Sequence, residues 1–182
     1  MIKQAGWIDF FHKLPSGVFA NEQVRAVCQQ KIEAGIISRD DNPVSHFVVF
    51  FLPYNPATKQ VYLVFNLKIA NGLWLFPGGH IDQSESAKET LIREAREELG
   101  LKLNEEAIKP PFLNTHTKAK DSRKPCVDHY DIWYLIKTSG KDFVVTEEEF
   151  VKPQWVSLDK AKELVTEPTT TLALNKLSFY LF

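Results

Sequence analysis

Cysteine is scarce in this chain, with only Cys28 and Cys126 among 182 residues. Their separation fits no metal-binding motif, and two cysteines are too few for a disulfide framework. Long apolar runs are also missing, because no stretch of eighteen apolar residues occurs and the first residues, MIKQAGWIDFFHK, lack the apolar core and cleavage site of a secretory signal. The sequence therefore predicts a reduced, cytoplasmic protein with no membrane partner.

An excess of charge of one sign is absent as well. The formal net charge is −1, with 22 basic and 23 acidic residues, so no basic excess is available to hold long nucleic acid. We expect no long nucleic-acid partner, and a small anionic substrate held by local groups or by metal. The hydrophobic share of 44% and the length of 182 residues are typical of one globular domain, with room for a small extension.

The sequence predicts a helical structure for the N-terminal part of the chain. Asn21 is a candidate N-cap, apolar residues follow at helical spacing, and Gly35 is a candidate stop, so the pattern predicts a helix over 21–35. The Asp40-Asp41-Asn42-Pro43 cluster then interrupts the chain. We expect a helical extension over 1–44, packed on a main domain over 45–182.

The pattern after Ser45 changes to strands. The runs HFVVFFL and VYLVFNL predict two adjacent strands, and further strands are expected at 73–76, 112–118, 127–138, 143–145 and 154–157. Helices are expected at about 84–99, at 158 to about 165, and after Pro168. Strands interrupted by a few helices, without regular βαβ alternation, predict an α/β fold with a mixed sheet packed between helices.

The segment Gly79–Leu101 carries the chemistry. Glu94, Glu97 and Glu98 stand at i, i+3 and i+4 of the expected helix, so their carboxylates converge on one face and repel each other unless a cation lies among them. Hard oxygen ligands suit Mg²⁺ or Mn²⁺, which polarise phosphoryl oxygens and activate water. The alternative is a solvated acidic face, but such a face normally mixes Lys with Glu.

The neighbouring residues strengthen the metal-site interpretation. Arg93 is placed to pair with the carboxylates and hold them, and Glu85, near the start of the helix, can orient Arg93 or relay a proton. Gly78 and Gly79 follow Pro77, so we expect a sharp turn from strand to helix that leaves a carbonyl free for the metal. Gly100 is expected to end the helix in a left-handed conformation.

This segment resembles the Nudix box, G-x5-E-x7-R-E-U-x-E-E-x-G-U, where U is a bulky aliphatic residue. All fixed positions match, and only Ala95 is smaller than usual. The resemblance implies an α/β/α sandwich with a mixed β-sheet, with Glu94, Glu97, Glu98 and the Gly79 carbonyl as metal ligands. It also implies Glu85, Arg93 and Glu97 as catalytic-site residues, one carboxylate helping to activate water.

The remaining site candidates are less constrained by pattern. Family members often add an acidic residue before a Trp-containing strand, which makes Glu149 the candidate extra ligand or base, although three glutamates in a row are also common on plain surface. The candidate substrate contacts are Lys68, Trp74, Phe76, Tyr130 and Trp133, whose aromatic members are equally well explained by core packing. His80 and His116 have no spacing typical of a metal site and are interpreted as structural or rim residues.

Three functional interpretations differ in class. The leading one is a Mg²⁺- or Mn²⁺-dependent Nudix-type hydrolase that cleaves a phosphoanhydride bond in a nucleoside diphosphate derivative or related nucleotide. The second is a silent Nudix-fold module that binds a nucleotide, although such modules typically lose box glutamates. Isomerisation of an isoprenoid diphosphate would call for a cysteine near the glycine pair, where none lies. The N-terminal extension and the apolar C-terminal residues could cover the sheet, cap the pocket or form a homodimer interface.

Overall fold

The computed structural model describes residues 2–66, 72–118, 125–141, 143–145 and 150–181. Two helices come first, α1 (Ile2–His12) and α2 (Glu22–Glu33), followed by the strands β1 (Ser45–Asn55), β2 (Gln60–Asn66), β3 (Leu73–Leu75) and β4 (Gly78–His80). Helix α3 (Ala87–Leu99) precedes β5 (Leu113–Lys118), β6 (Asp128–Lys137) and β7 (Phe150–Ser157), and the chain closes with α4 (Leu158–Leu164) and α5 (Pro168–Leu181).

The seven strands form one mixed sheet organised around β1. Strand order is β3-β2-β1-β6-β5, with β4 paired to β1 and β7 paired to β2. β1 and β6 run parallel through ten register pairs, from Ser45 with Asp128 to Tyr54 with Lys137. The other edge of β1 is shared, because β4 pairs with Val48–Phe50 while β2 pairs only with Tyr54 and Asn55. This division leaves β4 room beside the middle of β1.

Two apolar cores lie on opposite faces of the sheet. Alternate β1 residues Phe47, Val49 and Phe51 belong to the first core, with side chains from α1, α2 and α3. Leu52 and Tyr54 belong to the second core, with side chains from α4 and α5. Both faces of β6 are buried in the same way, which explains its nearly continuous apolar sequence. The arrangement is an α/β/α sandwich, as the sequence predicts.

The N-terminal helices pack on the first core. The expected helix over 21–35 is confirmed as α2, whose N-cap Asn21 accepts a hydrogen bond from the backbone N–H of Val24 at 2.9 Å. Helix α1 was not predicted from the sequence, and its Trp7 is buried with Nε1 donating to the carbonyl oxygen of Glu85 at 3.2 Å. The division into an extension over 1–44 and a domain over 45–182 stays a prediction.

Two local expectations are wrong. Residues 143–145 form no strand, and the backbone N–H of Val144 instead donates to the carbonyl oxygen of Leu99 at the end of α3. The glycine pair after Pro77 does not turn directly into the helix, because Gly78 and Gly79 are part of β4 and pair with β1.

Within the described residues, no helix combines the length and the apolar character needed to cross a membrane.

Candidate active site

Helix α3 is fixed at both ends by its own sequence. Ser86 and Glu89 form a capping box, in which the Ser86 hydroxyl accepts from the Glu89 N–H at 3.2 Å and the Glu89 carboxylate accepts from the Ser86 N–H at 2.7 Å. Gly100 ends the helix with a φ of 65°, as expected. Leu91 and Leu99 are fully buried in the first core. This packing sets the rotation of α3, and with it the direction of the glutamates.

Strand β4 lies directly against two of the three box glutamates. The backbone N–H of Gly78 donates to Glu98 Oε2 at 2.8 Å, and a β-carbon at position 79 would overlap the carboxylate of Glu94. Gly78 also has a φ of 155°, and a β-carbon at position 78 would overlap the carbonyl oxygen of Val49, so a side chain has no room there. The glycines therefore serve close approach between strand and helix, as the sequence indicates, but in an extended rather than a turning backbone.

Arg93 gathers the acidic residues of the site. Its Nε and Nη2 donate to the two carboxylate oxygens of Glu85 at 2.9 and 3.0 Å, a bidentate pair. Its Nη1 donates to Glu94 at 2.6 Å and to Glu97 at 3.2 Å, and Nη2 also donates to the carbonyl oxygen of His80 at 2.9 Å. All five N–H groups of the guanidinium can be assigned to these contacts. One side chain thus joins the start of α3, its middle turn and β4.

The electrostatics of the site follow from this pairing. The hydrogen bonds that Arg93 donates to the Glu85 carboxylate raise the pKa of Arg93 above its usual value, so the guanidinium stays charged. Burial alone would raise the pKa of Glu85, but hydrogen bonds from Arg93 and from the Thr90 hydroxyl hold that pKa below its usual value. Burial raises the pKa of Glu94 although Arg93 opposes the shift. The attraction of Arg93 therefore does not fully offset the cost of burying the Glu94 carboxylate.

The three box glutamates fit a hard divalent cation. Glu94 and Glu98 are each 8% exposed, while the side chain of Glu97 is 53% exposed. A buried carboxylate pair beside an accessible third carboxylate matches the way Mg²⁺ is held by a few protein oxygens while other positions stay open to water and substrate phosphates. The close approach of Gly79 to Glu94 adds a backbone position next to these ligands. Such a site can carry out metal-assisted hydrolysis at phosphorus.

The other candidates from the sequence are distributed over the molecule. Glu149 and Lys68 lie outside the described residues. Trp74 is half-buried on β3 with its ring 5.2 Å from that of Phe65. Phe76 and Trp133 are buried in the second core and Tyr130 in the first, which is the core packing that the sequence left as an alternative. Their role as substrate contacts stays a prediction.

Several contacts of the site were not predicted from the sequence. The Thr90 hydroxyl donates to Glu85 at 2.8 Å, and Asp82 lies 3.5 Å from the Arg93 guanidinium. The backbone groups of Gly78 and His80 hold Glu98 and Arg93. Backbone partners leave no signature in side-chain spacing, so only the glycine pair could have indicated them.

A sandwich of this topology, with an acidic helix held against a glycine strand, defines a Nudix-type domain. The family model for the NUDIX domain matches residues 44–174. The chain belongs to the Nudix family.

Its fold also resembles solved structures with little sequence identity, which support the fold alone. The Escherichia coli dihydroneopterin triphosphate pyrophosphohydrolase aligns with a TM-score of 0.63 and 15% identity over 78% of this chain and 96% of that one. The NUDIX domain of Shewanella oneidensis NrtR, complexed with ADP ribose, aligns with a TM-score of 0.60 and 18% identity over 76% and 90%.

Curated relatives match over part of the chain. An RNA pyrophosphohydrolase from Teredinibacter turnerae is 35% identical over 95 residues, which are 46% of this chain and 56% of the relative. The nucleoside triphosphatase NudI from an Enterobacter species is 30% identical over 108 residues, 58% of this chain and 76% of the relative. The alignment thus spans little more than half the length of the first of these relatives.

Proposed function

We propose that this protein is a Mg²⁺- or Mn²⁺-dependent pyrophosphohydrolase that cleaves a phosphoanhydride bond in a nucleoside diphosphate derivative or a related nucleotide. The observation that carries the proposal is the arrangement around Arg93, which holds Glu85, Glu94 and Glu97 within hydrogen-bonding distance of one guanidinium while Gly78 holds Glu98. The names of the relatives support the reaction class, since both act on phosphoanhydrides.

The roles of the residues follow from their positions. Glu94, Glu97 and Glu98, with the Gly79 carbonyl, would hold the cation, which supplies charge neutralisation at the phosphoryl oxygens and a bound water of lowered pKa. Arg93 fixes the carboxylates and Glu85 fixes Arg93. Glu97 is the most accessible of the three ligands and therefore the best placed to orient the attacking water. Glu149 remains the candidate for an additional base.

The proposed reaction is hydrolysis of the phosphoanhydride by water. The oxygen of water forms a new bond to one phosphorus atom of the anhydride, and the bridging oxygen leaves with the other phosphoryl group. The proton lost by water passes to a carboxylate and then to solvent. A nucleoside diphosphate derivative would give two phosphate-bearing products. We propose a cytoplasmic location on the sequence evidence already given, and a homodimer remains an expectation.

The test is a substrate panel with product identification by mass. It should contain nucleoside triphosphates, nucleotide sugars, ADP-ribose, dinucleoside polyphosphates and a short 5′-triphosphorylated RNA, each with Mg²⁺, with Mn²⁺ and with a chelator. We expect cleavage of at least one class, abolished by the chelator. Nucleotide binding without turnover in either metal would favour the silent binding module instead. Cleavage of the RNA alone would contradict the expectation of a small-molecule substrate drawn from the net charge.

A further inference from the structure

A second group of metal-binding side chains lies outside the carboxylate site. His46 is on β1, His80 on β4 and His129 on β6, while Cys126 lies two residues before β6 begins. One potential ligand atom from each of the four residues lies within 4.8 Å of those from the other three. None of the four belongs to the acidic set around Arg93. Three strands and the segment leading into β6 therefore bring together four residues that are distant in the sequence.

The register of the sheet accounts for this convergence. His46 of β1 is the direct parallel partner of His129 of β6, and Val48 of β1 is the antiparallel partner of His80 of β4. Alternate residues of a strand share a face, so His46 and Val48 lie on the same side of the sheet, together with their cross-strand partners His129 and His80. The three imidazole ring centroids are 5.0, 5.3 and 5.2 Å apart, and Cys126 Sγ lies 3.9 Å from His80 Nε2.

His46 is oriented with one ring nitrogen available to bind a metal ion. Its side chain is fully buried, and Nδ1 lies 2.8 Å from the carbonyl oxygen of Asn42, so Nδ1 carries the proton and donates it. Nε2 is then left as a lone pair, and it has no hydrogen-bond partner within the described part of the chain. Metal-binding histidines are typically oriented by such a bond from the other ring nitrogen to a carbonyl.

The donor set identifies the class of metal. Imidazole and thiolate are ligands for borderline-soft ions, and Cys with His in a tetrahedral arrangement is typical of Zn²⁺, whereas Mg²⁺ prefers oxygen. Imidazoles bound to one Zn²⁺ at about 2.1 Å in tetrahedral geometry would place their ring centroids about 5.2 Å apart, which is close to the spacing here. Ligand atoms on such an ion are about 3.5 Å apart, so side-chain rotations that move the ligand atoms by about 1 Å would complete the site.

We propose that His46, His80, His129 and Cys126 bind one Zn²⁺ ion in a site separate from the carboxylate site. The ion fastens β4 to β1 and β6 at the point where β4 meets the catalytic helix. The carbonyl oxygen of His80 accepts a hydrogen bond from Arg93, and Gly79 lies against Glu94. The zinc site thus has a positioning role for the carboxylate site, and it does not touch the reacting atoms.

The test uses the full chain freed of metal and titrated with Co²⁺, which reports ligand type in its spectrum. We expect one equivalent to give the strong visible bands of a tetrahedral ion together with a near-ultraviolet thiolate-to-cobalt band, and Zn²⁺ to remove both. Glu97→Gln should keep these bands, because carboxylates supply no thiolate. Cys126→Ala should abolish the thiolate band, and Cys126→Ala and His46→Ala should each weaken Zn²⁺ binding at least about 100-fold.

Matched controls use the same residue types elsewhere. Cys28→Ala and His12→Ala should leave the Co²⁺ spectrum and the Zn²⁺ affinity unchanged. Should the cluster variants fail to fold, the wild-type protein still decides the question through alkylation. Zn²⁺ should slow alkylation of Cys126 at least about tenfold, because a bound thiolate is withdrawn from reaction. Cys28 is the slow internal reference, because it is buried like Cys126 and burial also raises the pKa of its thiol to about 12. Absence of the thiolate band, or an unchanged alkylation rate of Cys126, would overturn the proposal.

Discussion

Gly79 of β4 lies so close to Glu94 of α3 that a β-carbon at position 79 would overlap the Glu94 carboxylate. The contact joins the strand and the helix that carry the candidate metal ligands. It also means that the carboxylate can keep its place only if the strand residue has no side chain. The glycine of the family pattern therefore has a steric reason at this position, in addition to its carbonyl.

Substitution of this glycine should impair catalysis while the helix survives. In Gly79→Ala the methyl group would displace the Glu94 carboxylate, so we expect turnover to fall at least about 100-fold with far-UV circular dichroism unchanged. Gly17→Ala is the matched control, because among the described residues no heavy atom beyond the chain neighbours of Gly17 lies within 4 Å of the β-carbon it would add. Near-normal turnover in Gly79→Ala would show that the close approach does not matter to the site.

Substitution of the box glutamates should lower turnover without lowering the stability of the fold. Glu97→Gln and Glu98→Gln remove a negative charge but keep shape and helix propensity, so we expect turnover to fall by about two or more orders of magnitude with little change in melting temperature. Glu106→Gln, at an exposed position outside α3, controls for the loss of one charge. Steady-state kinetics and thermal melts on the same preparations would distinguish the effects. Full activity in both box variants would refute their assignment as ligands.

The charge of Arg93 should not suffice for its function. Lysine in its place supplies three donors on a flexible stem, which cannot reproduce the bidentate pair with Glu85 together with the bonds to Glu94 and His80. We expect Arg93→Lys to lower kcat at least about tenfold and to cost about 1–3 kcal/mol of unfolding free energy, because part-buried acceptors lose their donors. Arg96→Lys, an exposed arginine on the same helix, should change neither value. Chemical denaturation and kinetics check both.

The last helix should contribute to stability through its buried face. Leu174 and Leu177 are fully buried in the second core, so Leu174→Ala should cost about 2–5 kcal/mol of unfolding free energy. Leu172→Ala, at a 40% exposed position of the same helix, should cost much less. Urea denaturation of the two variants measures the difference, and equal costs would contradict the assignment of this face.

This burial changes how the homodimer expectation must be tested. Truncation before Pro168 would remove core side chains together with any interface, so its result would mix unfolding with dissociation. Phe179 is 87% exposed, and Phe179→Asp leaves the core intact. If the C-terminal residues form an interface, sedimentation velocity should show a dimer for the wild-type chain and a monomer for Phe179→Asp.

Sequence reasoning succeeded where the determinants are local. The helix over the box, its end at Gly100 and the pairing of Arg93 with carboxylates follow from spacings within one helix and its flanks. The α/β/α fold was predicted from the pattern of strands and helices along the chain and from the family resemblance. Strand β4 was missed because three residues that include two glycines read as a turn, and only the long-range pairing with β1 makes them a strand. Helix α1 was missed because its apolar residues are stabilised by packing against the sheet rather than by a clear helical period.

The histidine and cysteine cluster could not be predicted from the spacing of residues in the sequence. His80 was interpreted as a structural or rim residue, and the cysteines fit no metal-binding spacing, because metal motifs are recognised from ligands that lie a few residues apart. Here the ligand candidates come from three strands and the segment before β6, and their meeting depends on the register of β1 with β4 and β6. Register of this kind is a property of the assembled sheet and leaves no local trace.

The parallel pairing of β1 with β6 also bears on the order of events during synthesis. All of α3 lies between these two strands in the chain, so the acidic helix leaves the ribosome before β6 exists. Its capped first turn can form early, but the apolar face of Leu91 and Leu99 is covered fully only after β6 adds Tyr130, Ile132 and Tyr134 to the same core. Because pairings between distant segments form slowly, the glutamates would reach their final arrangement late, once the centre of the sheet has closed.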